Sequence, residues 1–162
     1  ETQVIMCVVR LDAGDGARTQ RYTPYSTTVS VDGGFTWSAP MPLPQGVGCA
    51  RPRLLGFGPL QPIVLSGGRL GPKNRDVFLW VNAKGDGVAW EPHSITYEHN
   101  LLAPEGMQRF DSRVNSSSAR ETTSYTSLMR TGNRTGVLVY GLDPLSTTEA
   151  TEDTAFAMTF TV

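Results

Sequence analysis

Residues 30–37 read Ser30-Val31-Asp32-Gly33-Gly34-Phe35-Thr36-Trp37. The stretch closes a β-forming run, Ser26 to Val31, and its centre holds what a tight connection needs. Asp32 can accept hydrogen bonds from N–H groups of its own turn, Gly33 and Gly34 permit positive φ, and Trp37 offers a large apolar plate under the turn. The octapeptide predicts a β-hairpin, and its role is structural.

Outward from this turn the chain consists of short β-forming runs separated by 17 Gly and 11 Pro. Strands are predicted over Gln3 to Leu11, Ser26 to Val31, Arg53 to Phe57, Pro62 to Ser66, Val77 to Asn82, Tyr125 to Arg130, Gly136 to Leu142 and Ala155 to Val162. No stretch holds apolar residues at i, i+3, i+4 and i+7 for three turns without a Gly or Pro, so helix is expected to be scarce. The turn recurs in degenerate form from Asn82 to Trp90, NAKGDGVAW, with one extra residue and with Asp86 displaced. Trp37 and Trp90 stand 53 positions apart, close to one four-stranded propeller blade of the order of 50 residues.

Between them a strand pair, RPRLLGFGPLQPIVLSGGR, precedes VFLWVN and AWEPHSIT, and the same order restarts at SYTSLMRTGNRTGVLVYGL and runs into AFAMTFTV. The expected fold is all-β, a partial β-propeller of about two and a half blades. Residues 1–48 form an incomplete blade with the intact turn, 49–107 a blade with the degenerate one, and 108–162 an incomplete last blade. An open arc leaves two apolar faces uncovered, so further blades are expected upstream.

Composition narrows the function classes. The 14 Lys and Arg against 15 Asp and Glu give a net charge of −1, with no broad basic field to attract nucleic acid. A few Arg side chains in a pocket can still grip an anion through geometry. No apolar run approaches the roughly 20 residues needed to span a bilayer, so no transmembrane segment is expected. Cys7 and Cys49 are too few for a disulfide framework, and neither they nor His93 and His99 have the spacing of a metal site. Asn115-Ser-Ser and Asn133-Arg-Thr are glycosylation-type triplets that bear only on a secreted protein.

Residues 30–37 agree at every fixed position with the Asp-box pattern SxDxGxTW, and through it the chain resembles the C-terminal half of the sialidases. The resemblance implies a six-bladed propeller acting on sialylated glycans or related acidic sugars, without a cofactor. In sialidases three arginines hold the substrate carboxylate, a Tyr activated by a Glu attacks the anomeric carbon, and an Asp is the acid/base. Sialidases depart from the two-carboxylate glycosidases in using Tyr as nucleophile. The anomeric carbon of sialic acid bears a carboxylate that repels an anionic nucleophile, whereas a neutral phenol sharing its proton with Glu is not repelled.

Carried onto this sequence, the resemblance implies Tyr125 as nucleophile, because Tyr-Thr-Ser-Leu opens the last blade's inner strand and a VLVY strand comes after it. One departure is Gly141, where the family often has an acidic residue. Arg10, which closes QVIMCVVR before the intact Asp box, matches the second carboxylate-binding Arg. The third is either Arg75, seven positions before Asn82, or Arg69 in LSGGR. The first Arg and the acid/base Asp belong to a first blade that these 162 residues do not include, and the activating Glu to a strand before Glu1. The chain by itself is therefore expected to be inactive, and a non-catalytic, glycan-binding propeller is the competing reading. His99-Asn100 reads as part of a solvated loop, and Gln108 to Glu121 as an exposed, mixed-charge loop that could line the rim of the site.

Overall fold

The computed structural model describes residues 4–10, 23–44, 50–68, 77–107, 110, 120–121, 125–144 and 154–162. They form three antiparallel sheets and one short helix, an all-β architecture. β1 (Ile5–Val9), β2 (Ser26–Ser30) and β3 (Met41–Pro42) pair in chain order. β4 (Arg53–Gly56), β5 (Ile63–Gly67), β6 (Phe78–Asn82) and β7 (Glu91–Ser94) make a four-stranded meander. In the third sheet β9 (Thr126–Arg130), β10 (Thr135–Pro144) and β11 (Thr154–Thr161) pair in order, and the two-residue β8 (Arg120–Glu121) pairs with the end of β10. All eight expected strands are present, with ends within a few residues of those read from the sequence. Among the described residues no helix is long and apolar enough to cross a membrane.

The second sheet is the middle layer, and its strands show why. β5 and β6 are almost wholly buried, and successive side chains of a strand point to opposite faces. Leu65, Phe78 and Trp80 join Tyr25, Leu43 and Trp90 in a core shared with the first sheet, with Met6 and Val8 packed against it. Val64, Leu79 and the preceding Val77 join Phe57, Ile95, Phe110, Leu138 and Tyr140 in a core shared with the third sheet. An apolar run with no polar alternation is what a sheet buried on both faces requires.

Polar contacts fix both seams. Tyr25 is fully buried; its hydroxyl donates to the Ala50 carbonyl at 2.5 Å and accepts from the Gly68 N–H at 3.1 Å. A Cβ at Gly67, whose φ is +140°, would lie 2.6 Å from that oxygen, so only glycine fits. The Trp80 indole donates to the Pro44 carbonyl at 2.7 Å while its ring meets Tyr25 edge-on and stacks on Phe78. At the other seam the Ser66 and Thr126 hydroxyls lie 2.6 Å apart and buried, and the Arg53 Nε donates to the Thr126 carbonyl at 3.3 Å. Arg130 donates to the Phe57 carbonyl at 3.0 Å and covers its ring.

α1 (Ile95–Leu102) was not legible as a helix. It begins directly after β7 with Ser94 as its cap, whose hydroxyl accepts from the Tyr97 N–H at 3.2 Å. His99 and Asn100 therefore stand on a helix, and His99 is 4 % exposed, not solvated. Asn100 uses both ends of its amide on the backbone of Phe110, at 2.8 Å each. Most of the expected loop from Gln108 to Glu121 lies outside the described residues; within it Phe110 is buried and Arg120–Glu121 is a strand.

Candidate functional site

The two turn motifs define one rim of the sheets. Ser30 Oγ donates to Asp32 Oδ1 at 2.8 Å and accepts from the Gly34 N–H at 2.8 Å. Asp32 also accepts from the Thr36 N–H at 2.9 Å and from its hydroxyl at 2.5 Å. Gly33 and Gly34 have φ of +76° and +95°, as the sequence requires. The Trp37 indole closes the turn on the Gly34 carbonyl at 3.0 Å, although the residue remains 44 % exposed. In the degenerate copy Asn82 replaces Ser30, accepting from the Gly87 N–H at 3.1 Å and donating to Asp86 at 2.9 Å. Trp90 repeats the bond of Trp37, to the Gly87 carbonyl at 2.9 Å. The displaced Asp86 reaches the same end by accepting from the Val88 N–H.

These bonds hold the Asp32 carboxyl down at about 2, chiefly through the Thr36 hydroxyl and N–H and then Ser30, against an ordinary value of 3.8. Asp86 is lowered for the same kind of reason, by Asn82 and the Val88 N–H. A depressed carboxylate contributes stability that is present above its unfolded value and lost as pH falls through the folded one. Asp32→Asn should therefore flatten the acid limb of stability between about pH 4 and about pH 2. Urea midpoints of the two proteins across that window check this, and parallel curves would count against it.

The opposite rim gathers the residues singled out for chemistry. Val9 pairs with Ser26, so Arg10, half-buried, leaves the first sheet at the end away from the Asp-box turn. Gly67 pairs with Phe78, so the connection carrying Arg69 and Arg75 starts and ends at that same edge of the second sheet. Both arginines lie outside the described residues. Tyr125 immediately precedes β9, beside Thr126, whose contacts to Ser66 and Arg53 tie it to this edge of the second sheet. The Tyr25 contacts to Ala50 and Gly68 align the first sheet in the same sense. Arg10 and Tyr125 thus share a rim, on sheets separated by the middle one. Arg53, exposed at the start of β4, is a guanidinium at this rim that the sequence reading did not single out.

Two tyrosines flank the edge of the third sheet and differ chemically. Tyr140 pairs across from Thr126, is 2 % exposed, and burial pushes its hydroxyl up to about 12. Its oxygen lies 2.7 Å from His99 Nδ1, and the rings of Phe110 and Phe156 meet the imidazole edge-on at 4.9 and 4.5 Å. A phenol so placed stays neutral and is part of the core. Tyr125 is 53 % exposed. A cavity of about 270 Å³ borders the buried pair, lined by Leu102, Met107, Tyr140, Phe156 and Met158 together with His99.

Compared with known proteins, the chain matches no family model, no curated protein and no solved structure.

Proposed function

We propose that the chain is the C-terminal part of a six-bladed, sialidase-like β-propeller, and that its parent is a retaining exo-sialidase with Tyr125 as nucleophile. The observation that carries this reading is the shared rim: Arg10 and the exposed Tyr125 emerge at one edge, and the Asp-box turns occupy the other. The three antiparallel sheets, stacked face to face in chain order, support the blade assignment.

In this reading Arg10, with Arg75 or Arg69, pairs with the sialic acid carboxylate in the planar two-point geometry guanidinium favours. The Tyr125 oxygen forms a bond to the anomeric carbon while the bond to the aglycone oxygen breaks. The phenolic proton passes to a glutamate, and an acid protonates the leaving oxygen; both belong to blades outside these 162 residues. Water then reverses the sequence, giving retention. Without an activating base a phenol with a reference value near 10 is a poor nucleophile, so the chain alone is inactive.

The test is mass spectrometry after incubation with a fluorinated sialic acid that traps the glycosyl-enzyme. The chain joined to its upstream blades is expected to carry one sialyl adduct on the Tyr125 peptide, and the 162-residue chain none. A correctly folded parent without any adduct would replace the enzyme by a glycan-binding propeller.

A further inference from the structure

Tyr125 stands just before the first residue of β9, so the place of its phenol depends on how Thr126 is held. At the far end of the β9–β10 pair the Thr131 N–H donates to the Thr135 carbonyl at 3.0 Å. In an antiparallel pair, hydrogen-bonded and non-hydrogen-bonded positions alternate. Thr126 and Tyr140 lie five positions along the same register from Thr131 and Thr135, and so form a non-hydrogen-bonded pair. The backbone N–H and carbonyl of Thr126 therefore point away from β10, and the ladder does not hold them.

What holds Thr126 comes from the second sheet. Arg53 on β4 and Ser66 on β5 are cross-strand partners, and both reach it. The Ser66 and Thr126 hydroxyls lie 2.6 Å apart, and the Arg53 Nε donates to the Thr126 carbonyl at 3.3 Å. One rung of one sheet thus grips one residue of the next, by side chain and by backbone. The two holds differ in kind. Ser66 and Thr126 are buried, and their bond belongs to the seam. Arg53 is exposed, and among the described residues its guanidinium makes this one bond. A hydrogen bond open to water adds little to global stability, yet this one fixes the backbone one residue from the phenol.

We propose that Arg53 is a positioning residue for Tyr125, holding the start of β9 so that the phenolic oxygen faces the anomeric carbon in line. The proposal rests on the sialidase reading and adds to it a residue that acts through Thr126, not on the substrate. A nucleophile must stand about 3–3.5 Å from the reacting atom with its orbital aligned, and a misplacement of about 1 Å costs up to about a hundredfold. Tyr125, at an exposed strand end, drifts by a distance of that order once the Thr126 carbonyl is released.

The test uses the parent, the chain joined to its upstream blades, and follows the rate at which the fluorinated sialic acid labels Tyr125, over concentrations that reach saturation. Glutamine carries its amide nitrogen as many bonds from Cα as arginine carries Nε, so Arg53→Gln keeps a donor for the Thr126 carbonyl and loses the charge. Arg53→Met keeps neither. Arg53→Met should slow labelling at saturation about tenfold and leave the half-saturating concentration within about twofold, while Arg53→Gln keeps its rate within about threefold. Both urea midpoints should match that of the unmodified parent, because the side chain is exposed. Full-rate labelling of Arg53→Met would overturn the proposal, as would a lowered midpoint that makes the bond part of the general stability. Equal losses in the two variants would overturn it as well, and a raised half-saturating concentration beside them would mean that the guanidinium grips the substrate itself. A folded, unmodified parent that takes no label removes the sialidase reading and this proposal together, an outcome distinct from the others, in which that parent is labelled.

Discussion

Replacing Trp80 by Ala is expected to lower the free energy of unfolding by about 3–5 kcal/mol, the cost of emptying a fully enclosed aromatic site. Trp80 is completely buried, stacks on Phe78, meets Tyr25 edge-on and satisfies the Pro44 carbonyl. Its removal opens a void at the seam between the first two sheets and leaves that carbonyl without the indole donor. For a chain of this size such a loss corresponds to a fall in Tm of roughly 6–20 °C. Trp37→Ala supplies the comparison, because that residue is 44 % exposed and makes a local bond to Gly34. Its cost should be about 1 kcal/mol. Urea unfolding of both variants separates them, and equal losses would mean that the seam does not carry the stability assigned to it.

The second large effect concerns Tyr125. On the sialidase reading, Tyr125→Phe in the parent enzyme should reduce kcat by at least about a thousandfold, close to 4 kcal/mol of transition-state stabilisation. The substitution deletes only the oxygen that bonds to the anomeric carbon. Tyr125 is half-exposed and precedes its strand, so the urea midpoint should move little. Tyr140→Phe should behave in the opposite way. It removes the oxygen beside His99 and destabilises by about 1–3 kcal/mol, through a buried polar group left unpaired. Initial rates on a fluorogenic sialoside, measured beside the midpoints, distinguish the two. A parent that keeps full turnover as Tyr125→Phe would end the nucleophile assignment.

The strands were legible because most combine β-branched or aromatic residues with turn chemistry at both ends. In the Asp-box turn the acceptor role of Asp32 and the positive φ of Gly33 and Gly34 were legible, because they act within their own octapeptide, whereas the Ser30 bonds and the Trp37 indole bond were not read. α1 escaped notice because it is two turns long and buries only Ile95 and His99, while Tyr97, Leu101 and Leu102 face solvent. A short helix held by a cap and by the layer beneath it leaves no apolar stripe in the sequence. His99 was misread for a related reason, as its partner Tyr140 lies 41 positions further along.

The candidate site divides in the same way. Arg10 and Tyr125 could be named from their strands, but that they share a rim depends on contacts such as Arg53 with Thr126, 73 positions apart. The resemblance singles out Tyr125 from its sequence pattern, and burial beside His99 independently marks Tyr140 as a core residue. Arg53 entered the sequence reading only as the first residue of a strand; its place beside Thr126 comes from the fold.

Apart from β8, every strand among the described residues pairs only with its neighbours in the chain. A nascent polypeptide can therefore finish the meander from β4 to β7 as soon as Ser94 has left the ribosome, without waiting for the strands of the third sheet. The bond from Tyr25 to Ala50 can close early in synthesis, whereas that between Ser66 and Thr126 must wait for another stretch of translation. During that interval Val64 and Leu79 lack Leu138 and Tyr140, the third-sheet side chains of their core. Between the second sheet and the third, chaperones and proteases would meet that half-covered face, and a pause in translation there would lengthen the interval.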